Sequence, residues 1–169
     1  PSITSFEQRM STVFLVDVSN SVSDDQLARA HDAVDAAWKG RGENEVHVVT
    51  FAASPRLVAI PEGAAGVPAL ERHGGKRAQE HSDLQAAIQH AYGLFPPNLL
   101  RRIVLISDGN ETDGDLLAES YKAATREIPI HIHRLPGREQ QEVLVRSLQL
   151  PTEVRMGAPF ELTAEVHST

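Results

Sequence analysis

The sequence predicts an α/β fold, a doubly wound and mostly parallel sheet flanked by helices. Three observations predict it. Apolar strand-like runs alternate with segments of helical periodicity, in the order strand, helix, strand, strand, helix, strand, helix, strand. Two runs, Val13-Phe14-Leu15-Val16 and Ile103-Val104-Leu105-Ile106, are continuously apolar, as central strands covered on both faces are. Both run into a carboxylate and then break, at Asp17 and, after Ser107, at Asp108. In open parallel sheets ligands sit outside the carboxyl ends of the strands, where the strand order reverses.

Thr12–Val16 is the first strand. Ser23 and Gln26 fit a capping box that opens a helix, with Asp24 and Asp25 favouring its positive end. Leu27, Ala30, Val34, Ala37 and Trp38 form its apolar stripe, and Gly40 stops it. Val46–Phe51 is the second strand. Ser54-Pro55 turns the chain into a short third strand, Arg56–Ile60, bracketed by Pro55 and Pro61 as an edge strand is. So short a connection makes this pair antiparallel. Pro61–Lys76 reads as a Gly-, Ala- and Pro-rich loop with a helical turn near Val67–Arg72. A helix follows His81-Ser82-Asp83, buries Leu84, Ala87, Ile88 and Ala91, and ends at Pro96-Pro97. Arg102–Ser107 is a strand, Asp115–Glu127 a helix and Pro129–Leu135 the last strand of this unit. From Gly137 the character changes. Val143–Leu150 is strand-like, and Phe160, Leu162, Ala164 and Val166 alternate with polar residues, the pattern of a strand with one buried face. The chain thus divides into an α/β domain, 1–137, and a C-terminal β segment, 138–169, the start of a β-sandwich domain or strands docked on the first.

The 169 residues suit one domain with part of another, and 41% hydrophobic with 23% charged residues is an ordinary globular composition. A net charge of −7 argues against a nucleic-acid partner and suits a cation site or a basic protein. With no cysteine, disulfides, thiol catalysis and cysteine-based zinc sites are excluded. No apolar run approaches the roughly 20 residues that span a membrane. No signal-peptide pattern opens the chain, and its start at Pro1 rather than Met fits a piece of a longer polypeptide.

The chemistry lies at the strand ends. Asp17, Ser19 and Ser21 offer three oxygen side chains from one tight loop, Asp108 a carboxylate from a second strand end, and Ser82 a hydroxyl from the loop before a helix. Mg2+ demands oxygen ligands in octahedral geometry and keeps several waters. With so few carboxylates, the ion would seek an anionic oxygen from outside. Mn2+ and Ca2+ fit the same ligands, because selection among them depends on site size and rigidity.

These pieces, Asp17-Val18-Ser19-Asn20-Ser21 after an apolar strand, Ser82-Asp83-Leu84 before a helix, and Ile103–Gly109, resemble the von Willebrand factor type A domain family over roughly residues 10–136. The resemblance implies a Rossmann-like sheet and a metal-ion-dependent adhesion site. In such a site Ser19 and Ser21 bind the ion directly, Asp17 and Asp108 bind it directly or through water, and Ser82 stands where the family usually has Thr. It implies a binding module whose metal accepts an Asp or Glu carboxylate of a partner protein, with Asn20, Asn110 and the Pro61–Lys76 loop on the rim and no catalysis. The chain departs from the family after Pro129–Leu135, where Gly137–Leu150 does not read as the usual further strand and helix. More narrowly it resembles bacterial proteins in which this domain precedes a β-sandwich in a membrane-anchored polypeptide, which implies a cell-envelope setting.

Two other readings compete. Phosphatases of the haloacid-dehalogenase type also place an Asp at the end of the first strand, and Asp108–Asp113 superficially resembles their acidic loop. They need a second Asp two positions after the first as acid/base, where this chain has Ser19. The motif is otherwise the relic of a site on a structural scaffold. Among the remaining candidates, Ser82 with Gln85 also reads as a helix cap, Asp83 as a helix N-terminal charge and Glu111 as a solvated loop residue. His81 reads as an exposed loop residue beside the site and Trp38 as core. His131 and His133 share one strand face without an evident third zinc ligand.

Overall fold

The computed structural model of the chain describes residues 9–135, 143–149 and 162–168. The chain forms two compact units, 1–137 and 138–169.

In the first unit, β1 (Met10–Asp17), β2 (Glu45–Phe51), β3 (Pro55–Leu57), β4 (Leu100–Ser107) and β5 (Ile130–Arg134) form one sheet in the order β3-β2-β1-β4-β5. β1 pairs in parallel with β2 and β4, β4 pairs in parallel with β5, and only β2–β3 is antiparallel. β1 is central, and the chain winds outward from it in both directions. The crevice beyond its carboxyl end is therefore the switch point at which such sheets bind ligands.

Alternation along the strands divides the core between two layers. Phe14, Val16, Val48 and Ile106 face α1 (Asp24–Lys39), where they meet Leu27, Ala30 and Val34. Val13, Leu15, Val49, Phe51, Ile103 and Leu105 face α3 (Leu84–Tyr92) and meet Leu84, Ala87, Ile88 and Ala91. Each large side chain so buried contributes about 1.5–3 kcal/mol. Ser23 caps α1 and Gln26 completes the capping box, as the sequence predicts.

Several expectations are corrected. The third strand is shorter than Arg56–Ile60, ending at Leu57. No helical turn forms at Val67–Arg72; the helical turn in this stretch is α2 (Gly75–Ala78). The 61–72 loop takes its shape from other elements instead. Asp35 of α1 accepts from the Val67 backbone N–H (2.9 Å), His31 Nε2 bonds the Val67 carbonyl (2.9 Å), and Arg72 reaches Asp24 and the Val22 carbonyl. The Asp35 carboxyl is held below the usual range by its hydrogen bond with Lys39 and then by that with Val67. α3 ends at Tyr92 with Gly93 as its cap, ahead of Pro96-Pro97. Its N-cap is Asp83, not Ser82: Asp83 accepts from Ala86 N–H (2.8 Å), and the Ser82 hydroxyl is engaged elsewhere. Trp38 is half-buried, packed against the core with Arg41 stacked 3.7 Å above its ring.

α4 (Leu116–Thr125) is joined to α3 through Glu119, which is 1% exposed. It accepts from Gln89 (2.9 Å), Gln85 (3.4 Å) and Lys122 (3.0 Å). Burial acts to raise its pKa, but hydrogen bonds led by Gln89 and Lys122 outweigh it and hold the group at about 2. Burial and the neighbouring Glu119 push the Tyr92 phenol up to about 12.

In the second unit β6 (Val143–Gln149) pairs antiparallel with β7 (Thr163–Ser168). The buried face expected of the alternating segment is absent from its described part: Leu162 and Val166 are 52% and 56% exposed. The two described strands alone do not bury a face. Phe160 lies outside the described residues.

Candidate metal centre

The parity that splits the core also builds the site. Val13, Leu15 and Asp17 lie on the α3 side of β1, and Ile103, Leu105 and Ser107 on the α3 side of β4. At the carboxyl ends of both strands this stripe changes from apolar to polar, just where Ser82 precedes α3.

Asp17, fully buried, joins these elements. Its Oδ1 accepts from the Ser19 backbone N–H (2.9 Å), closing the loop that follows β1. Its Oδ2 accepts from the Ser82 hydroxyl (3.0 Å) and the Ser107 hydroxyl (2.8 Å). Ser19 and Ser21 share a hydroxyl–hydroxyl hydrogen bond of 2.8 Å. The structure thus brings Asp17, Ser19, Ser21 and Ser82 into one hydrogen-bonded group. Asp108, 7% exposed, follows Ser107 at the end of β4 and is held by Asn110, whose backbone N–H and side-chain amide both donate to its carboxylate (3.1 and 3.2 Å).

Backbone bonds fix the loops. Val18 N–H donates to the Phe51 carbonyl, Asn20 N–H to Gln79, and Asp83 N–H to Ala52. Ser82 is clamped from both sides: its N–H donates to Thr112 Oγ1 (2.7 Å), and its carbonyl accepts from the Thr112 and Asp113 N–H groups. Gly109 and Gly114 have φ of +91° and +95°. At Gly114 a Cβ would also lie 2.8 Å from Gln85 Cβ and 2.9 Å from Asp83 Oδ1, so only glycine fits.

Of the other candidates, Asn20 is exposed in the loop after β1. Asn110 is exposed too, but its amide is tied to Asp108. His81 Nδ1 lies 2.6 Å from Asp113 Oδ2. Glu111 is not a solvated loop residue: one carboxylate oxygen accepts from Leu116 N–H at the start of α4, and the other is buried without a partner. The sequence reading missed Ser107 and Thr112. Position parity was the available signal for Ser107, since residues 103, 105 and 107 share a face.

The donors fit a hard divalent cation. They are all oxygens, two of them carboxylates, and all but the half-buried Ser21 are buried. Among the described residues no Lys, Arg or His pairs with Asp17 or Asp108. Buried carboxylates without a cationic side chain call for another source of positive charge. Also among the described residues, no three His, Cys, Asp or Glu side chains cluster, so the loops do not form a nitrogen, sulfur or all-carboxylate site.

Comparison with known proteins agrees with this architecture. No curated protein matches the chain. Among solved structures it is similar to an aerotolerance-related membrane protein of Bacteroides fragilis, at 15% identity over 92% of this chain and 81% of that one, with a TM-score of 0.58. It is similar to proximal thread matrix protein 1 of the mussel byssus with a zinc-occupied MIDAS motif, at 15% identity and a TM-score of 0.53 over 74% of this chain and 37% of that one. It is also similar to manganese-loaded TRAP of Plasmodium vivax, at 11% identity and a TM-score of 0.50 over 78% and 58%. At these identities the likenesses establish the fold. The sequence profile of the von Willebrand factor type A domain matches residues 12–111. That stretch holds the central strands of a five-stranded sheet wound outward from β1 and the loops gathered on Asp17, and with it matched, this chain belongs to the von Willebrand factor type A domain family.

Proposed function

We propose that the chain is a divalent-metal-dependent protein-binding module rather than an enzyme. Asp17, Ser19, Ser21, Ser82 and Asp108 are the residues that would hold the ion, Mg2+ in the first instance and Mn2+ or Ca2+ as alternatives. The ion supplies an electrophilic position for a carboxylate oxygen from an Asp or Glu of a partner protein. The observation that carries this reading is the buried Asp17 carboxylate, which accepts from the Ser82 and Ser107 hydroxyls and the Ser19 backbone N–H and has no cationic partner among the described residues. The chain's own part is to hold the oxygens in place. Ser82 and Ser107 fix the Asp17 carboxylate, Asn110 fixes Asp108, and exposed Asn20 offers a polar rim. Metal-bearing proteins of the same fold, the mussel protein with a zinc-occupied MIDAS motif and the manganese-loaded Plasmodium protein, support a divalent metal in this one. The likeness to a membrane protein of Bacteroides supports a cell-envelope setting. No described helix is long and apolar enough to cross a membrane.

A phosphatase would need a carboxylate at position 19. Ser19 instead bonds Ser21 and closes the Asp17 loop, which favours ligation over acid/base chemistry.

Calorimetric titration of Mg2+ and Mn2+ into EDTA-stripped protein tests the proposal. One saturable site in the wild type, lost in Asp17→Ala, is the expected result. Binding indifferent to Asp17→Ala, or no binding at all, would reduce the motif to a relic on a scaffold.

A further inference from the structure

His131 and His133 lie two residues apart on β5, so both imidazoles project from one face of the sheet, beside Val104 and Ile106 of β4. Both are exposed. β5 ends the five-stranded sheet, and among the described residues no strand pairs with its outer edge. Between them Ile132 points to the other face and is 68% exposed. A free edge strand with an exposed large apolar residue invites pairing with another strand.

A histidine pair supplies two ligands, whereas zinc takes four. Among the described residues no third His, Cys, Asp or Glu joins this pair. The strand can complete the set with itself. In an antiparallel pairing with β5 of a second copy, centred on Ile132, His131 stands opposite the second copy's His133, and His133 opposite its His131. Directly opposed side chains have Cβ atoms about 4.5–5.5 Å apart, and residues two apart on a strand are separated by roughly 6.6 Å. Four imidazoles then stand at the corners of a small rectangle on one face. A register centred on His131 instead would oppose His133 to Pro129 and break the set, so the histidines select one pairing. The same pairing brings each Ile132 against its counterpart and gives the open backbone edge its hydrogen-bond partners.

We propose that β5 is one half of a four-histidine site for an imidazole-preferring first-row metal ion such as Zn2+, completed by β5 of a second copy of this chain. The site is separate from the Asp17 loops and independent of the function proposed for them. Imidazole suits zinc, copper and nickel, whereas magnesium prefers oxygen.

Sedimentation velocity of the metal-stripped full chain, titrated with Zn2+ and in parallel with Mg2+, tests it. Zn2+ should double the mass, with half an equivalent per chain sufficing at this site, and Mg2+ should leave the mass unchanged. The zinc-dependent dimer should persist in Asp17→Ala and vanish in the double variant His131→Gln/His133→Gln. Both histidines are exposed, and an unchanged circular dichroism spectrum would establish that the variant is folded. A chain that stays monomeric at saturating Zn2+ overturns the proposal. So does a dimer that survives loss of both histidines, or one that Asp17→Ala abolishes.

Discussion

Asp17 accepts from one neighbour in its own loop and from two hydroxyls that lie 65 and 90 residues away. Those two hydroxyls have different standing. Ser82 is a proposed ligand, whereas Ser107 positions the carboxylate and also accepts from Gly109 N–H (3.0 Å). Ser107→Ala should therefore keep the metal stoichiometry and weaken affinity about 10–100-fold, the usual effect of removing a group that orients a ligand. Calorimetry would settle it, and an unaltered affinity would remove Ser107 from the site. As candidate ligands, Asp17, Ser19, Ser21 and Asp108 were legible because oxygen side chains follow where apolar runs break, and Ser82 because a hydroxyl precedes the next helix. Ser107 was not, because it lies within such a run and only its parity with Ile103 and Leu105 betrays it. The Asn110 tie to Asp108 was equally hidden, since nothing in the sequence says which way an exposed amide turns.

Among the elements, α3 and α4 follow the two loops that face each other across the site, and Glu119 holds them together. Its pKa is about 2 against an ordinary 4.5, so its charged form stabilises the native chain. The sign is that of a depressed carboxyl. The contribution is complete above pH 4.5, declines as pH falls below it, and is gone below about 2. At about 1.4 kcal/mol per unit it amounts to roughly 3 kcal/mol. Denaturant melts between pH 6 and 2 should show a loss of that order in the wild type and a shallower slope in Glu119→Gln. Gly114→Ala should cost about 1–3 kcal/mol, since it combines a positive φ with crowding of the Asp83 cap; a thermal melt would show this. The helix α1 was legible to its caps because Ser23, Gln26 and Gly40 act locally. The 61–72 loop was not, because Asp35, His31 and Arg72 shape it from a distance, and contacts of that kind leave no periodicity.

For the whole molecule, parallel order followed from helix-length crossovers, and the antiparallel β2–β3 pair from a turn too short for one. The strand order around β1 came only with the structure, because sequence does not record on which side of a strand its successor docks. The two compact units support a further prediction: residues 1–137 expressed alone should keep the Mg2+ response of the full chain, checked by the same calorimetry. The spread of Asp17's partners along the sequence reaches beyond recognition. No local segment carries the set, so only a chain whose central strands have already come together offers an ion its ligands. The folded state alone then gains from the ion, by about 2.7 kcal/mol when free metal stands at a hundred times its dissociation constant. Ambient Mg2+ thereby becomes a thermostat on the chain's own survival, with a melting temperature that climbs as the logarithm of its concentration and ceases to climb in Asp17→Ala.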